Sequence, residues 1–177
     1  MKTLYKTLLE KLTADTTNQL LSAAGLPPVK YVDIYEGQYY NPEKFEGLVL
    51  PAVLVEFSID KPQLTEPGQL SLTLHILYEQ PEHGDNHAPH IDRALKYLDF
   101  AEKIYELVKD TESEHTGKLV WNGESSIGEP GIVKVLLQTY SASYTGRSNM
   151  KEYDETELQE LSITGNLKTF DKALNGL

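Results

Sequence analysis

The clearest pattern of hydrophobic and polar positions along the chain lies in residues 69–79. Apolar side chains occupy every second position there: Leu70, Leu72, Leu74, Ile76 and Tyr78. The positions between them are polar, with one leucine as the exception. Because successive side chains of a strand point to opposite faces of a sheet, this alternation predicts a strand with one buried and one wetter face. We take it as the strand around which the fold is arranged.

Four further stretches have the pattern of strands. Residues 29–37 and residues 51–58 alternate in the same way. Residues 118–121 predict a short strand before an Asn-Gly turn at residues 122–123. Residues 131–146 predict a long last strand that is partly apolar on both faces. Such a strand is either central in the sheet or covered on its second face by another subunit.

Two stretches have the spacing of amphipathic helices. Leu4, Leu8 and Leu12 recur every fourth residue, which predicts a helix from about residue 3 into the early twenties. Residues 15–18 are poor helix-interior residues and favour a split of this helix in two. A second, longer helix is predicted over residues 91–108, where a broad apolar stripe is set against charged positions.

In chain order these elements predict an α+β fold with a mainly antiparallel sheet and two helices. The longer helix is expected to pack across one sheet face, because each has one apolar side. Residues 1–147 are expected to form this single domain. Five acids cluster between positions 152 and 160, and the nearby apolar residues lack a long period. Residues 148–177 are therefore predicted to be an acidic C-terminal arm.

The composition narrows the class of protein. The 177 residues include no cysteine, which excludes disulfides and thiolate metal sites. Sixteen basic and 27 acidic residues give a formal charge of −11, with arginine only at Arg93 and Arg147. Nucleic-acid adhesion requires clustered cations, so direct binding to DNA or RNA is not expected. The N-terminal stretch carries early charges, so neither a signal peptide nor a membrane span is expected.

One loop concentrates candidate metal ligands. Residues 83–92 hold His83, His87 and His90 together with two aspartates. Imidazole and carboxylate groups bind zinc or nickel, so a small metal-binding module or metal-dependent enzyme is the alternative interpretation. Glycine, asparagine and proline between these ligands are ordinary turn residues, and all the ligands are local in sequence. We expect a solvated turn with no metal and no cofactor.

The order of elements and three strand segments carry a resemblance to a known family. The segments are VDIYEG at residues 32–37, LPAVLVEF at residues 50–57 and LTLHIL at residues 72–77. Over roughly residues 3–146 the chain resembles the phage tail-terminator (tail-completion) proteins of prophage structural operons. The resemblance implies a non-enzymatic α+β subunit, and it offers no catalytic residues to carry over.

Proteins of that family assemble as a ring, often a hexamer, that ends the tail tube and presents a surface to the head connector. The resemblance therefore implies self-association and binding to tail-tube or head-connector proteins, with no membrane partner. It also implies a location in the bacterial host cytoplasm during assembly, and then in the virion tail.

A closed ring needs two different surfaces that meet on neighbouring subunits. Two sets of apolar residues are candidates for these surfaces. One lies on the second face of the last strand, and the other lies in the C-terminal arm. We expect the arm to dock on a neighbouring subunit. The predicted interface residues are Leu136, Tyr140 and Tyr144 in the strand, and Leu158, Leu161 and Ile163 in the arm.

Overall fold

A five-stranded sheet with helices on one face is built from residues before position 147. The computed structural model describes residues 1–41, 45, 47–60, 67–79, 85, 87–127 and 133–146. The elements in chain order are α1 (Lys2–Thr13), α2 (Asp15–Ala23), β1 (Tyr31–Ile34), β2 (Ala52–Asp60), β3 (Gly68–Glu79), α3 (Ile91–Ala94), α4 (Lys96–Val108), β4 (Val120–Ile127) and β5 (Val133–Tyr144).

The chain divides after Gly146 into Met1–Gly146 and Arg147–Leu177. The whole of the second unit lies outside the described residues, and so does the predicted arm with its candidate residues Leu158, Leu161 and Ile163. The domain boundary after residue 147 and the role of the arm therefore stay predictions.

The strand predicted to organise the fold is the middle strand of the sheet. The strand order is β1-β2-β3-β5-β4, and β3 pairs antiparallel with β2 on one side and β5 on the other. β4 also pairs antiparallel with β5, whereas β1 pairs parallel with β2. The predicted α+β class with a mainly antiparallel sheet is confirmed. The parallel pairing means that the chain returns to the same end of the sheet between Ile34 and Ala52.

One face of the sheet, which we call the helical face, packs against the helices. It carries the alternate β3 residues Leu70, Leu72, Leu74 and Ile76, all buried. α4 meets them through the buried side chains of its apolar stripe, so the predicted packing of the longer helix on this face is confirmed. Full burial of a leucine-sized side chain contributes about 1.5–3 kcal/mol. The helices contribute Leu4, Leu8, Leu12, Leu21, Phe100, Ala101, Ile104 and Val108 to this core.

The opposite face, which we call the open face, has a small core of its own at one end. Ala52, Leu54, Leu77 and Val135 are buried there, and partly buried side chains that pack against them include Tyr35, Tyr39, Leu48 and Leu50. Beyond this core the open face carries exposed polar side chains from β2, β3 and β4. A half-wet sheet face is what the alternation in β3 predicted.

Both predicted helices are broken into two. The first breaks at Ala14, which is extended with φ −61° and ψ 147°. The hydroxyl of Thr17 donates to the carbonyl oxygen of Lys11 across the break, at 2.7 Å. This side-chain bond replaces a backbone bond and explains why residues 15–18 favoured a split. The second helix breaks at Leu95, between α3 and α4. Among the described residues, no helix is long and apolar enough to span a membrane.

The turn predicted at residues 122–123 is wrong. β4 continues through this point, and the register with β5 shifts between Trp121 and Gly123. A β-bulge accommodates one extra residue while the ladder goes on. The Asn-Gly pair, typical of tight turns, therefore serves here as an irregularity within an edge strand.

Candidate interaction surfaces

The strand residues predicted to meet a neighbouring subunit lie inside the core. Leu136, Tyr140 and Tyr144 are buried in the cluster that α1 and α4 form with the helical face. The Tyr140 hydroxyl donates to Oε1 of Gln138 at 2.8 Å, and burial raises the pKa of this tyrosine. Nε2 of Gln138 in turn donates to the carbonyl oxygen of Ala101 in α4, at 2.8 Å. Helices of the same chain thus occupy the face that the sequence left open for another subunit.

Exposed apolar side chains gather instead along β4. Val120 is 59% exposed and Trp121 is 47% exposed. Within the described part of the chain, β4 pairs with β5 on one side and lies at the edge of the sheet. The outer row of backbone N–H and C=O groups of an edge strand is open to pairing with another chain. We call this strand with its two exposed side chains the β4 edge.

A groove of about 430 Å³ lies beside this edge, and we call it the α4–β4 groove. The Tyr105 and Trp121 rings meet edge-on inside it, with centroids 5.7 Å apart. The ammonium group of Lys109 lies 5.3 Å from the centre of the Tyr105 ring. Two carboxylates face an apolar floor. The lining residues are Leu98, Glu102, Tyr105, Trp121, Glu124 and Gln138.

The opposite edge of the sheet carries a different apolar surface. β1 pairs only with β2 in the described residues. Ile34 at its end is 41% exposed, and Tyr40 in the segment that follows is 53% exposed. We call β1 with these two side chains the β1 edge. The two edges of one sheet thus present two distinct apolar surfaces.

The open face between the two edges is polar and poor in cations. Lys134 is the only lysine or arginine in the described strands, and it lies on the helical face, paired with Tyr78. Lys118 precedes β4 and lines a shallow groove beside Ser141 and Ser143. The acids on the open face, by strand alternation, are Asp33, Glu56, Asp60 and Glu79.

A histidine of β3 contacts the segment after β1 and holds it against the open face. His75 is buried, and its ring stacks on Tyr35 with centroids 3.9 Å apart. Nδ1 of His75 lies 3.0 Å from the Tyr39 hydroxyl, and Nε2 lies 3.0 Å from Oε2 of Glu56. Because a carboxylate only accepts, the proton is on Nε2, and the tyrosine donates to Nδ1. With both nitrogens engaged, the imidazole acts as a structural link between segments.

Burial sets the protonation of this cluster. Desolvation lowers the pKa of His75, and the hydrogen bond and charge of Glu56 partly offset that shift. Desolvation also raises the pKa of Tyr39 far above its ordinary value. Alternation placed His75 on the wetter face, but it gave no sign that Tyr35 and Tyr39 fold back over the ring.

The histidine-rich loop is described only in part. His83 lies outside the described residues, whereas His87 and His90 are exposed. The backbone N–H of His87 donates to Oδ1 of Asp85 at 2.8 Å, which is the local bond of an Asx turn. Within the described residues, no group of three or more histidine, cysteine or acidic side chains is placed to hold a metal ion. The three-histidine set as a whole is not covered by this finding.

Comparison with known proteins finds a distant likeness in structure. No protein-family model matches the chain. No curated protein is significantly similar to it in sequence. Among solved structures, the fold is similar to a chain from the virion of a native gene transfer agent particle. That match has a TM-score of 0.48 and 11% sequence identity, and it covers 82% of this chain and 96% of the other. A likeness this distant does not assign a function.

Proposed function

We propose that this chain is a non-enzymatic structural subunit of a phage or prophage particle, and that it forms a tail-terminator-like ring at the head–tail junction. The observation that carries the proposal is the pair of different apolar surfaces at the β1 edge and the β4 edge. Contact between one edge and the other on the next copy is heterologous, and such contacts close into a ring when the rotation allows.

The β4 edge has the features of a protein-binding surface. Apolar side chains on an exposed edge strand are an aggregation hazard, and soluble proteins usually cover or charge such strands. Here Val120 and Trp121 are consecutive exposed residues of the edge strand and point to opposite faces of the sheet. Tryptophan is enriched among the residues that contribute most to binding at interfaces. These features favour a permanent neighbour at this edge.

The open face fits a surface that lines a channel for DNA. Edge-to-edge contacts between copies would join the sheets, with the helices on one side of the wall and the open face on the other. In the described strands this face carries acids and hydroxyls without lysine or arginine. Since phosphate binding depends on cations, DNA would pass such a wall without adhering.

The arm completes the proposed assembly. Residues 148–177 dock on the neighbouring subunit, and tail-tube and head-connector proteins bind the two ends of the ring. Assembly takes place in the cytoplasm of the bacterial host, and the ring then stays in the virion tail. The resemblance of residues 3–146 to tail terminators supports this assignment.

Deletion of the gene from an inducible prophage tests the proposal. Electron microscopy of the lysate is expected to show tails of uncontrolled length and heads without tails. The wild-type gene supplied in trans should restore joined particles. A Val120→Asp variant should not, because it places a charge in the interface. Leu20→Asp is the matched control, since Leu20 is an exposed leucine on α2 away from both edges. Normal particles from the deletion strain would contradict the proposal.

A further inference from the structure

We infer that the α4–β4 groove of one copy receives the end of the C-terminal arm of another copy, with Phe170 against Trp121. The inference rests on the proposed function, in which the arm docks on a neighbour. It adds the receiving surface and the part of the arm that enters it.

The residues that line the α4–β4 groove favour the binding of an apolar segment with positive charge. Its apolar floor consists of Leu98, Tyr105 and Trp121, and its carboxylates are Glu102 and Glu124. Glu124 already accepts a hydrogen bond from Nε2 of Gln138 at 2.8 Å. Glu102 is exposed at the rim. An aromatic side chain would bury the exposed Trp121 ring, and a nearby cation would pair with Glu102.

The last part of the arm has this composition, and the first part does not. Residues 161–177 contain Leu167, Phe170 and Leu174 together with two lysines and one aspartate. Residues 147–160 contain five acids against one arginine and one lysine. The two groove carboxylates outnumber the ammonium group of Lys109 beside Tyr105, so the groove would repel the first segment and attract the second. Charge therefore selects the terminal segment and leaves the acidic residues as a spacer.

The spacer is long enough to reach a neighbour. Twenty residues, 147–166, separate Gly146 from Leu167. A segment of this length spans roughly 65 Å when fully extended. A folded unit of the size of residues 1–146 has a radius of gyration of about 15 Å. The segment can therefore cross from one subunit to the next.

A mixing experiment with full-length variants tests the inference, because Trp121 is the only tryptophan in the chain. The reporter is Phe170→Asp, which keeps the groove and loses the anchor. The donor is Trp121→Ala, which keeps the arm and is silent in tryptophan fluorescence. Addition of donor should shift the reporter emission to shorter wavelength, saturably, and reduce its quenching by acrylamide. Docking within one chain cannot produce this signal, since neither variant has both partners.

Two controls test whether the emission shift depends on Phe170 and on the charge of the groove. A Trp121→Ala/Phe170→Asp donor should bind on the order of 30-fold more weakly, as expected when a central aromatic contact is lost. Glu102→Lys in the reporter should weaken binding about two- to fivefold, and Lys168→Glu in the donor should restore it if the two charges meet. Circular dichroism melts should show that all variants fold like the wild type.

Three results would overturn the inference. One is no emission shift although all variants fold, and another is an equal shift with the doubly substituted donor. The third is a wild-type emission that stays blue-shifted on dilution and moves to longer wavelength in Phe170→Asp, with no shift when reporter and donor are mixed. This result would mean that the arm docks within its own chain.

Failure of this inference can be distinguished from failure of the proposed function. Unlinked heads and tails in the deletion strain, without any emission shift, would contradict the groove assignment alone. Normal particles with a saturating shift would contradict the ring role alone.

Discussion

The hydroxyl of Tyr39 lies 3.0 Å from Nδ1 of His75, and this contact joins the segment after β1 to the middle strand of the sheet. The Tyr35 ring stacks on both of these rings, with centroids 5.2 Å from Tyr39 and 3.9 Å from His75. The neighbouring Tyr40 is exposed. In neutral His75 the ring nitrogen Nδ1 accepts from the Tyr39 hydroxyl, whereas protonation of Nδ1 would reverse this bond and place a charge on a buried ring. Protonation of His75 is therefore expected to weaken the attachment of this segment to the sheet.

The first prediction concerns pH. Burial lowers the pKa of His75 in the folded chain, so the unfolded chain takes up this proton at higher pH. The free energy of unfolding should then fall as the pH drops below about 6.5, down to the folded pKa. We expect His75→Asn to be less stable and to lose less on acidification. Melting temperatures at about pH 7.5 and about pH 5.5 measure this. Equal losses for both proteins would show that His75 does not titrate on unfolding.

The second prediction concerns the core. Leu74 of β3 is fully buried on the helical face. Leu74→Asp should abolish folding, because an unpaired buried charge costs several kcal/mol. Ser71→Asp is the matched control, since Ser71 is exposed on the open face of the same strand, and its effect should stay within about 0.5 kcal/mol. A Leu74→Asp protein that melts cooperatively would refute the packing described for β3.

The third prediction concerns the arm. Removal of residues 150–177 should leave the melting temperature of the remaining domain nearly unchanged, since the core described above is formed by residues before position 147. The same truncation should abolish ring formation and association with tail tips, measured by sedimentation and electron microscopy. If the truncated chain is unfolded, the arm belongs to the core and its proposed role between subunits fails.

The fourth prediction concerns the open face. Ser71 and Ser141 are cross-strand neighbours on β3 and β5, so lysines at both positions would lie side by side. The Ser71→Lys/Ser141→Lys variant should assemble normally but retain DNA in a salt-dependent way, seen as slower DNA ejection from particles. The Ser71→Gln/Ser141→Gln variant is a control with long uncharged side chains. Unchanged ejection with the lysine pair would mean that this face does not line the channel.

Periodicity predicted the parts of the fold that have one buried face. The alternation in β3 and the apolar stripe of α4 each determine which side of the element is buried, and they matched the observed core. The parallel pairing of β1 had no such signal, because alternation describes the faces of a strand and not the direction of its neighbour. The extent of β4 was missed because an Asn-Gly pair suits a bulge as well as a turn.

The interaction surfaces were harder to predict than the fold. The pattern in β5 showed that both faces are apolar, and it could not distinguish cover by helices of the same chain from cover by a neighbour. Tyr140 is in fact held by a hydrogen bond to Gln138 beneath α4. Trp121 was missed because its exposure follows from the edge position of β4, which is a property of the strand order.

Cross-linking between the two edges tests the central claim most directly. The chain has no cysteine, so only thiols introduced by Ile34→Cys and Val120→Cys can react with a flexible bifunctional maleimide. In particles purified from the induced prophage, the double variant should give a ladder of oligomers of this protein that ends in one closed ring. Each single variant should give no ladder, because a heterologous interface pairs two different edges. Dimers from a single variant, or no ladder from the double variant, would contradict the proposed ring.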